Sequence, residues 1–282
     1  MTALLAGFVD DAGLFPPTAL PMSEALARHR HDLAVGDPML THRFLCPAAR
    51  IDELRAHLVE DDRIAVGIIA SADAPDGALA AAAAAADADP RTQLALVEIA
   101  CDLADLDPAL AAATAYGTPV FVEATERTES PRFAAVLAGR GAGLKIRCGG
   151  VRADLFPEPA EVANALVSAA AAGVPVKATA GLHHAVRYRD PATGFVHHGF
   201  LNLVVAAARA AAGAGSGPVA DVLSSADGAA LAAEAAALTP DGATAARRLL
   251  VSYGSCSTTT PPTEAADLGL SPSALDTEGQ RS

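Results

Sequence analysis

The sequence is poor in several residue types that mark particular classes of protein. Its 282 residues include no tryptophan, and aromatic residues make up 4% of the chain. The four cysteines form no CxxC pair, which argues against a disulfide scaffold and the usual structural zinc spacings and suits a reducing compartment. Acidic residues outnumber basic ones by 33 to 20, and a surface with this charge of −13 repels nucleic-acid phosphates and anionic membranes.

Signals for export, membrane insertion and nucleotide binding are also missing. The first 14 residues lack a basic segment and Asp10-Asp11 interrupts their short apolar run, so we expect no signal peptide. The longest apolar stretches, 78–86 and 200–220, are alanine-rich and too weakly apolar to span a bilayer. No Gly-x-Gly-x-x-Gly follows the first predicted strand, and no Walker motif occurs. We expect a cytoplasmic protein that binds neither nucleic acid nor a membrane.

Lysine is scarce, and its scarcity is informative. Of the 20 basic residues, 18 are arginine, and Lys145 and Lys177 are the two lysines. The abundance of alanine, arginine and glycine indicates a coding bias that replaces ordinary surface lysines with arginine. A lysine kept under that bias points to a position where arginine cannot substitute, because arginine stays protonated and cannot form an imine. Chance retention of both lysines is the alternative.

Short apolar runs alternate with longer Ala/Leu/Glu/Arg segments, which is the pattern of βαβ units. The predicted strands are 7–9, 42–46, 64–70, 94–101, 119–123, 143–147, 174–179 and 249–253. Eight strands with intervening helices favour an α/β fold of the (β/α)8 TIM-barrel type, in one domain over residues 1–257, rather than an open doubly wound sheet. Residues 258–282 are rich in Thr, Pro and Ser and are predicted to be a flexible tail. The loop 187–198 is long enough to be a functional flap.

Both lysines are predicted at the C-terminal ends of barrel strands, where barrel active sites form. Strand alternation places Lys145 and Arg147 on one face of 143–147, and it sets Lys177 and Thr179 together on the next strand. Because neighbouring strands lie about 4.8 Å apart, we expect the two amines to share one site. Nearby positive charges disfavour an ammonium, so we expect a lowered pKa at Lys145 that suits imine formation.

Acidic residues occupy similar positions on other strands. Glu98 interrupts the apolar run 94–100, and Glu123 ends another predicted strand. A carboxylate that points into the lumen can move protons beside an imine, or it can form a structural ion pair with a lysine. Asp10 adds a further acid from the first strand.

The histidines of the second half leave three interpretations open. His183-His184 follow the Lys177 strand, and His197-His198 end the long loop. The first interpretation is that they bind a metal, the second is that they contact substrate or transfer protons, and the third is that they are structural residues of the loop. These four residues show no HxH spacing, and HExxH is absent from the chain.

Two further groups near strand ends are candidates for the site. Cys148 is either a buried thiol or a nucleophile with His183 or His184 as its base. The turn 253–257 follows the last strand and offers backbone N–H groups and hydroxyls, so it is a candidate anion site or a simple polar turn.

The two segments that contain the lysines resemble the deoxyribose-phosphate aldolase family of class I aldolase barrels. Residues 145–149, Lys-Ile-Arg-Cys-Gly, are similar to the family's Lys-Thr-Ser-Thr-Gly, whose lysine forms the Schiff base. Residues 177–181, Lys-Ala-Thr-Ala-Gly, are similar to its Lys-x-x-Gly-Gly, whose lysine perturbs the first.

Four other segments extend the resemblance over most of the chain. They are 9–18 (Val-Asp-Asp-Ala-Gly-Leu-Phe-Pro-Pro-Thr, similar to Asp-x-Thr-x-Leu-x-Pro), 44–47 (Phe-Leu-Cys-Pro, similar to Cys-x-x-Pro), 122–125 (Val-Glu-Ala-Thr, similar to Glu-Thr) and 253–257 (Tyr-Gly-Ser-Cys-Ser, similar to Phe-Gly-Ala-Ser-Ser). Arg147-Cys148 stand where the family has Ser-Thr, and His183-His184 stand where it has an Ile-Arg type continuation. The resemblance therefore implies the fold and the lysine chemistry but not the family's sugar-phosphate substrate.

On this resemblance, Lys145 is expected to form the Schiff base, Lys177 to perturb it, and Glu98 or Glu123 to move protons. The residues expected to bind substrate are Asp10, Arg147, Cys148, Thr179, Gly181, His183, His184, Gly254 and Ser255. The expected function is a carbon–carbon lyase, or a related imine-forming enzyme, that acts on a small oxygenated carbonyl compound in carbohydrate metabolism without a cofactor or metal.

Two other functions stay open. One is a metal-assisted hydrolase or isomerase that uses His183 and His184, and the other is a non-catalytic barrel that binds a metabolite. Assembly into a homo-oligomer, and which lysine forms the imine, are also left open.

Overall fold

The computed structural model describes residues 2–70 and 77–270, and within them eight parallel strands close into a barrel. The barrel strands are β1 (Val9–Asp11), β2 (Leu40–Pro47), β3 (Ile64–Ala70), β4 (Thr92–Cys101), β5 (Val120–Ala124), β6 (Gly143–Arg147), β7 (Val176–Thr179) and β10 (Leu250–Ser255). Each strand pairs with its neighbours in sequence order, and β10 closes the ring between β7 and β1. The predicted (β/α)8 TIM barrel is confirmed.

Helices follow the strands and cover the outside of the barrel. They are α1 (Thr2–Leu5), α2 (Met22–Val35), α3 (Ile51–His57), α4 (Ala78–Asp87), α5 (Leu106–Thr114), α6 (Ser130–Leu137), α7 (Pro159–Ala172), α8 (Phe200–Ala211), α9 (Ser216–Ser224), α10 (Gly228–Ala236), α11 (Pro240–Leu249) and α12 (Thr260–Asp267). A short antiparallel hairpin, β8 (Tyr188–Arg189) with β9 (Val196–His197), lies in the loop that was predicted as a flap. None of the helices in the described part of the chain is long and apolar enough to cross a membrane.

Strand alternation separates two apolar layers. Outward-facing residues such as Leu144 and Ile146 belong to the main core between strands and helices. Inside the barrel, Leu45 and Leu96 pack with Ala12 in a small separate cluster. Gly67 admits these leucines, because a Cβ at this position would lie 2.6 Å from a methyl group of Leu45. The remaining lumen is left for polar side chains.

The chain stays folded beyond the last barrel strand. Ala265 of α12 and Leu270 are buried, and Glu264 Oε2 accepts a hydrogen bond of 2.6 Å from the Ala185 N–H. The predicted flexible tail is therefore wrong for residues 258–270. Proline is tolerated in the first turn of a helix, so the Thr/Pro-rich segment that begins α12 does not exclude a helix there. Residues 271–282 lie outside the described residues.

Truncation after Ser257 should destabilise the barrel. The variant loses the buried Leu270 and Ala265 and the carboxylate of Glu264, so we expect the free energy of unfolding to fall by at least about 2 kcal/mol. Urea denaturation followed by circular dichroism measures the difference from the full chain. An unchanged midpoint would contradict the packing role of α12.

Candidate active site

A chain of alternating charges crosses the barrel lumen, with each member in ion-pair contact with the next. In order, its members are Arg43, Asp10, Lys177, Glu98, Lys145, Glu123 and Arg147. We call this set the lumen network. It combines four cations with three carboxylates. Charges buried in a barrel must be paired to be tolerated, and every member of the lumen network has at least one partner of opposite charge.

The two lysines meet at a single carboxylate. Lys145 on β6 pairs in register with Lys177 on β7. Lys145 Nζ lies 2.7 Å from Glu98 Oε2, and Lys177 Nζ lies 2.9 Å from Glu98 Oε1. The prediction that the two amines lie close together in the lumen is confirmed, and Glu98 is the group that joins them.

Each lysine also has a second carboxylate of its own. Lys145 Nζ lies 3.0 Å from Glu123 Oε2, and Lys177 Nζ lies 2.7 Å from Asp10 Oδ2. The guanidinium of Arg147 donates from Nε to Glu123 Oε1 over 2.6 Å. Glu123 therefore bridges Lys145 and Arg147, much as Glu98 bridges the two lysines.

The pKa of Lys145 shifts in the direction opposite to the sequence-based expectation. Burial disfavours its ammonium, but the carboxylates of Glu98 and Glu123 outweigh burial and hold the pKa of Lys145 above its ordinary value. The expected lowering by Lys177 and Arg147 is wrong, because each of these cations is compensated by a carboxylate that also contacts Lys145. The resting side chain is an ammonium with two proton acceptors beside it.

Contacts with opposite charges also keep the buried carboxyl groups of Asp10 and Glu98 ionised. Burial raises the pKa of Asp10, but the positive charges of Lys177 and Arg43 outweigh burial and bring the pKa down to about 2. Burial likewise raises the pKa of Glu98, and Lys145 and Lys177 together bring it to about 2. At neutral pH both carboxyl groups are therefore ionised.

The barrel should lose stability in acid through these two carboxyl groups. Their pKa values lie near 2 when folded, against ordinary values of 3.8 and 4.5, so the folded state binds their protons less tightly than the unfolded state. The stabilisation is therefore full above about pH 5 and is lost as the pH falls toward 2. Each shift corresponds to about 2–3 kcal/mol. Urea denaturation at a series of pH values measures the slope, and a flat profile between pH 5 and 2.5 would contradict it.

A cavity of about 210 Å³ opens at the C-terminal ends of the strands, and we call it the mouth cavity. Its apolar wall includes Phe15, Leu45 and Ile69. Among the described residues, the polar side chains that line it are Lys145, Arg147, Thr179, His183 and Cys256. The amine of Lys145 lies at its floor, since that side chain is 5% exposed and contacts the lumen network below. Lys177 is 0% exposed and does not line the cavity, so Lys145 is the lysine that a ligand can reach.

A second cavity, of about 250 Å³, adjoins Lys145 on the side of β5 and α7. We call it the charged cavity because Glu123, Arg127 and Glu161 line it. Lys145 and Arg147 line both cavities. Lys145 therefore lies between a mainly apolar cavity and a charged one.

Some of the residues predicted to bind substrate are at the mouth cavity and others are not. Arg147, Thr179, His183 and Gly254 line it. Asp10 is fully buried beside Lys177 and holds that lysine instead of facing the cavity. Asp10 was predicted to bind substrate, but in the structure it pairs with Lys177 inside the lumen network and does not line the mouth cavity.

Four other residues that were predicted to bind substrate do not line the mouth cavity. Cys148 is buried away from the cavity, and burial raises the pKa of its thiol to about 12. Gly181 has a φ of +72° and packs against the carbonyl of Cys148. His184 Nδ1 lies 2.5 Å from Glu264 Oε1, outside the mouth cavity. Ser255 is buried, its Oγ accepts a hydrogen bond from the Ser257 N–H within the turn, and it does not line the mouth cavity.

Sequence reasoning paired His183 with the wrong cysteine. Cys256 Sγ lies 3.3 Å from His183 Nδ1, and both side chains line the mouth cavity. The pairing follows from topology, because β7 and β10 are neighbours and the residues after their C-terminal ends meet. In a closed barrel the last strand lies beside β7, so the sequence alone indicates that the turn 253–257 lies close to the residues after β7.

The four histidines of the second half do not converge. His197 Nδ1 lies 3.3 Å from the carbonyl of Gly181, and His198 Nε2 lies 2.8 Å from the carbonyl of Pro157. Tyr188 of the hairpin stacks on His197. Across residues 2–70 and 77–270, no group of three or more His, Cys, Asp or Glu side chains is arranged to hold a metal ion.

Comparisons with known proteins do not identify a family. No protein-family model, curated protein or solved structure matches the chain. The function is therefore inferred from the residues of the barrel itself.

Proposed function

We propose that this barrel is a Schiff-base carbon–carbon lyase of the class I aldolase type, or a related imine-forming enzyme, that acts on a small oxygenated carbonyl compound. The observation that carries the proposal is the position of Lys145. Its amine lies at the floor of the mouth cavity, contacts two carboxylates and has a second lysine in register on the next strand. A primary amine in such a place can attack a carbonyl carbon and form an imine.

The first step requires Lys145 to lose a proton, and Glu123 is placed to accept it. Its Oε2 lies 3.0 Å from the amine, and it lines the charged cavity, whereas Glu98 is sealed inside the barrel. When Lys145 becomes neutral, Lys177 still compensates Glu98 at 2.9 Å. The role of Lys177 in this scheme is to keep the buried carboxylate paired while the neutral amine reacts.

The lumen network also favours the product of that step. A protonated imine carries its positive charge close to where the ammonium carried it, between Glu98 and Glu123. These carboxylates are already oriented, so the charge is stabilised without reorganisation. The iminium then withdraws electrons from the bond between the α- and β-carbons of the substrate, which is the bond that a class I lyase breaks.

The mouth cavity favours a small substrate without a phosphate group. Among the described residues that line it, Arg147 supplies the guanidinium, and Glu123 already engages that group. The apolar wall of Phe15, Leu45 and Ile69 suits a carbon chain. A small aldehyde or ketone fits this combination better than a sugar phosphate does.

Turnover and chemical trapping together test the proposal. Acetaldehyde, propanal, hydroxyacetone, glyceraldehyde and pyruvate are mixed in pairs with the protein, and condensation or cleavage is followed by NMR. Borohydride should inactivate the protein only in the presence of a turned-over carbonyl compound. Activity that survives this reduction, or that is lost on chelation and restored by a metal, would favour the metal-assisted alternative. Absence of turnover and adduct across the panel would favour a metabolite-binding barrel.

A further inference from the structure

Few of the described side chains that line the mouth cavity carry a group that can transfer a proton. Apart from Lys145 and Arg147, the described side chains that line it and carry an acid–base group are His183 and Cys256. No carboxylate is among these described lining residues, since Glu123 faces the charged cavity and Glu98 is sealed in the lumen. A substrate held in the mouth cavity on Lys145 would therefore share the cavity with His183 and Cys256.

His183 is held in a defined place. It follows β7, lies in the wall of the mouth cavity and has Cys256 Sγ at 3.3 Å from its Nδ1. The ring of His197 is 6.3 Å away between centroids, and Lys145 and Arg147 are the cations of the same cavity. Burial lowers the pKa of His183, so its ring is neutral at neutral pH and carries one unprotonated nitrogen.

We propose that His183 is the acid–base residue that removes and returns a proton at the substrate carbon next to the Lys145 imine, and that Cys256 is a positioning residue that holds the ring. This inference rests on the proposed imine chemistry. It assigns the proton transfer at carbon to the mouth cavity and leaves the proton transfer at nitrogen to Glu123.

The proposed step balances without any further reactant. The C–H bond next to the iminium breaks, and its electron pair forms the C=C bond of an enamine. The C=N π pair becomes a lone pair on the Lys145 nitrogen, and the proton moves to the unprotonated nitrogen of His183. In the cleavage direction the proton of the substrate's β-hydroxyl moves to His183 and the bond between the α- and β-carbons breaks. The electron pair of that bond forms the same enamine, and the β-carbon leaves as a carbonyl compound. The His183 imidazolium then returns the proton to the α-carbon.

Exchange of carbon-bound hydrogen separates this step from imine formation. Propanal is incubated with the protein in D₂O, and deuterium incorporation next to the carbonyl is followed by NMR. Borohydride trapping of propanal on Lys145 is measured by mass in parallel. His183→Gln should reduce the exchange rate by roughly 10²–10⁴-fold and leave the trapped adduct at its wild-type level. The control His57→Gln, on an exposed turn of α3, should change neither quantity.

A pH profile gives a second readout that a merely structural role would not move. In the wild type, the exchange rate should rise as the His183 imidazolium loses its proton and should then level off, whereas His183→Gln should lose that rise. Cys256→Ser should retain trapping and shift the profile, because the group that contacts Nδ1 has changed.

The outcomes are distinguishable. No propanal adduct in the wild type would contradict the proposed function and, with it, this inference. An adduct in both proteins with equal exchange rates would overturn the role of His183 and leave the imine chemistry standing. Loss of the adduct together with exchange in His183→Gln would also overturn the assignment, because His183 would then be needed before the carbon step.

Discussion

Replacement of Glu98 by glutamine should lower the free energy of unfolding by about 3–5 kcal/mol. Glu98 is fully buried, and its two oxygens contact the amines of Lys145 and Lys177. Glutamine keeps the shape but removes the charge, so the four cations of the lumen network, two of which are the buried lysines, are left with two carboxylates. Removal of one partner from a buried ion pair typically costs this amount, because the remaining charge is no longer compensated.

Urea denaturation at pH 7 measures this loss against a matched surface control. Glu53 pairs with Arg50 on the outside of the barrel at 2.7 Å, so Glu53→Gln removes the same charge in an exposed ion pair. We expect the control to change stability by less than about 1 kcal/mol. Equal effects of the two substitutions would contradict the view that the lumen network depends on the charge of Glu98.

Lys145→Arg should abolish the proposed lyase activity. Arginine keeps a positive charge between Glu98 and Glu123, but it cannot form an imine. Loss of the nucleophile from a covalent mechanism lowers kcat by on the order of 10⁶-fold, so we expect turnover to fall to the background rate. The rate of conversion of the active carbonyl compound, at equal concentrations of folded protein, is the measurement.

Lys177→Arg is the matched control for this prediction. It preserves a cation next to Asp10 and Glu98, and it leaves the reactive amine of Lys145 in place. We expect reduced but measurable turnover. If Lys177→Arg is inactive while Lys145→Arg retains activity, the two lysines have exchanged roles.

The barrel and the shared lysine site could be predicted from sequence because both follow from short-range patterns. Apolar runs separated by helical segments define the strands, and strand alternation puts Lys145 on the lumen side. Parallel register then brings Lys177 beside it. These steps use residue spacing alone and need no knowledge of partners far away in the chain.

The electrostatics of the site depend on partners that spacing does not reveal. The sequence shows Glu98 on β4, but nothing in it shows that this carboxylate reaches across the lumen to β6 and β7. Without that contact, two neighbouring lysines suggest a lowered pKa at Lys145, whereas the folded network raises it. The pairing of His183 with Cys256 likewise requires the closure of the ring between β7 and β10.

The most direct test of the central claim is to locate the trapped carbonyl compound on the chain. The sequence has two lysines, so a borohydride-reduced adduct has few possible positions besides the N-terminal amine. Proteolysis and mass spectrometry of the wild-type protein, reduced during turnover, should find the added mass on the peptide that contains Lys145 and on no other peptide. Turnover with the added mass on Lys177, on the N-terminal amine alone or on no amine would contradict Lys145 as the residue that forms the imine.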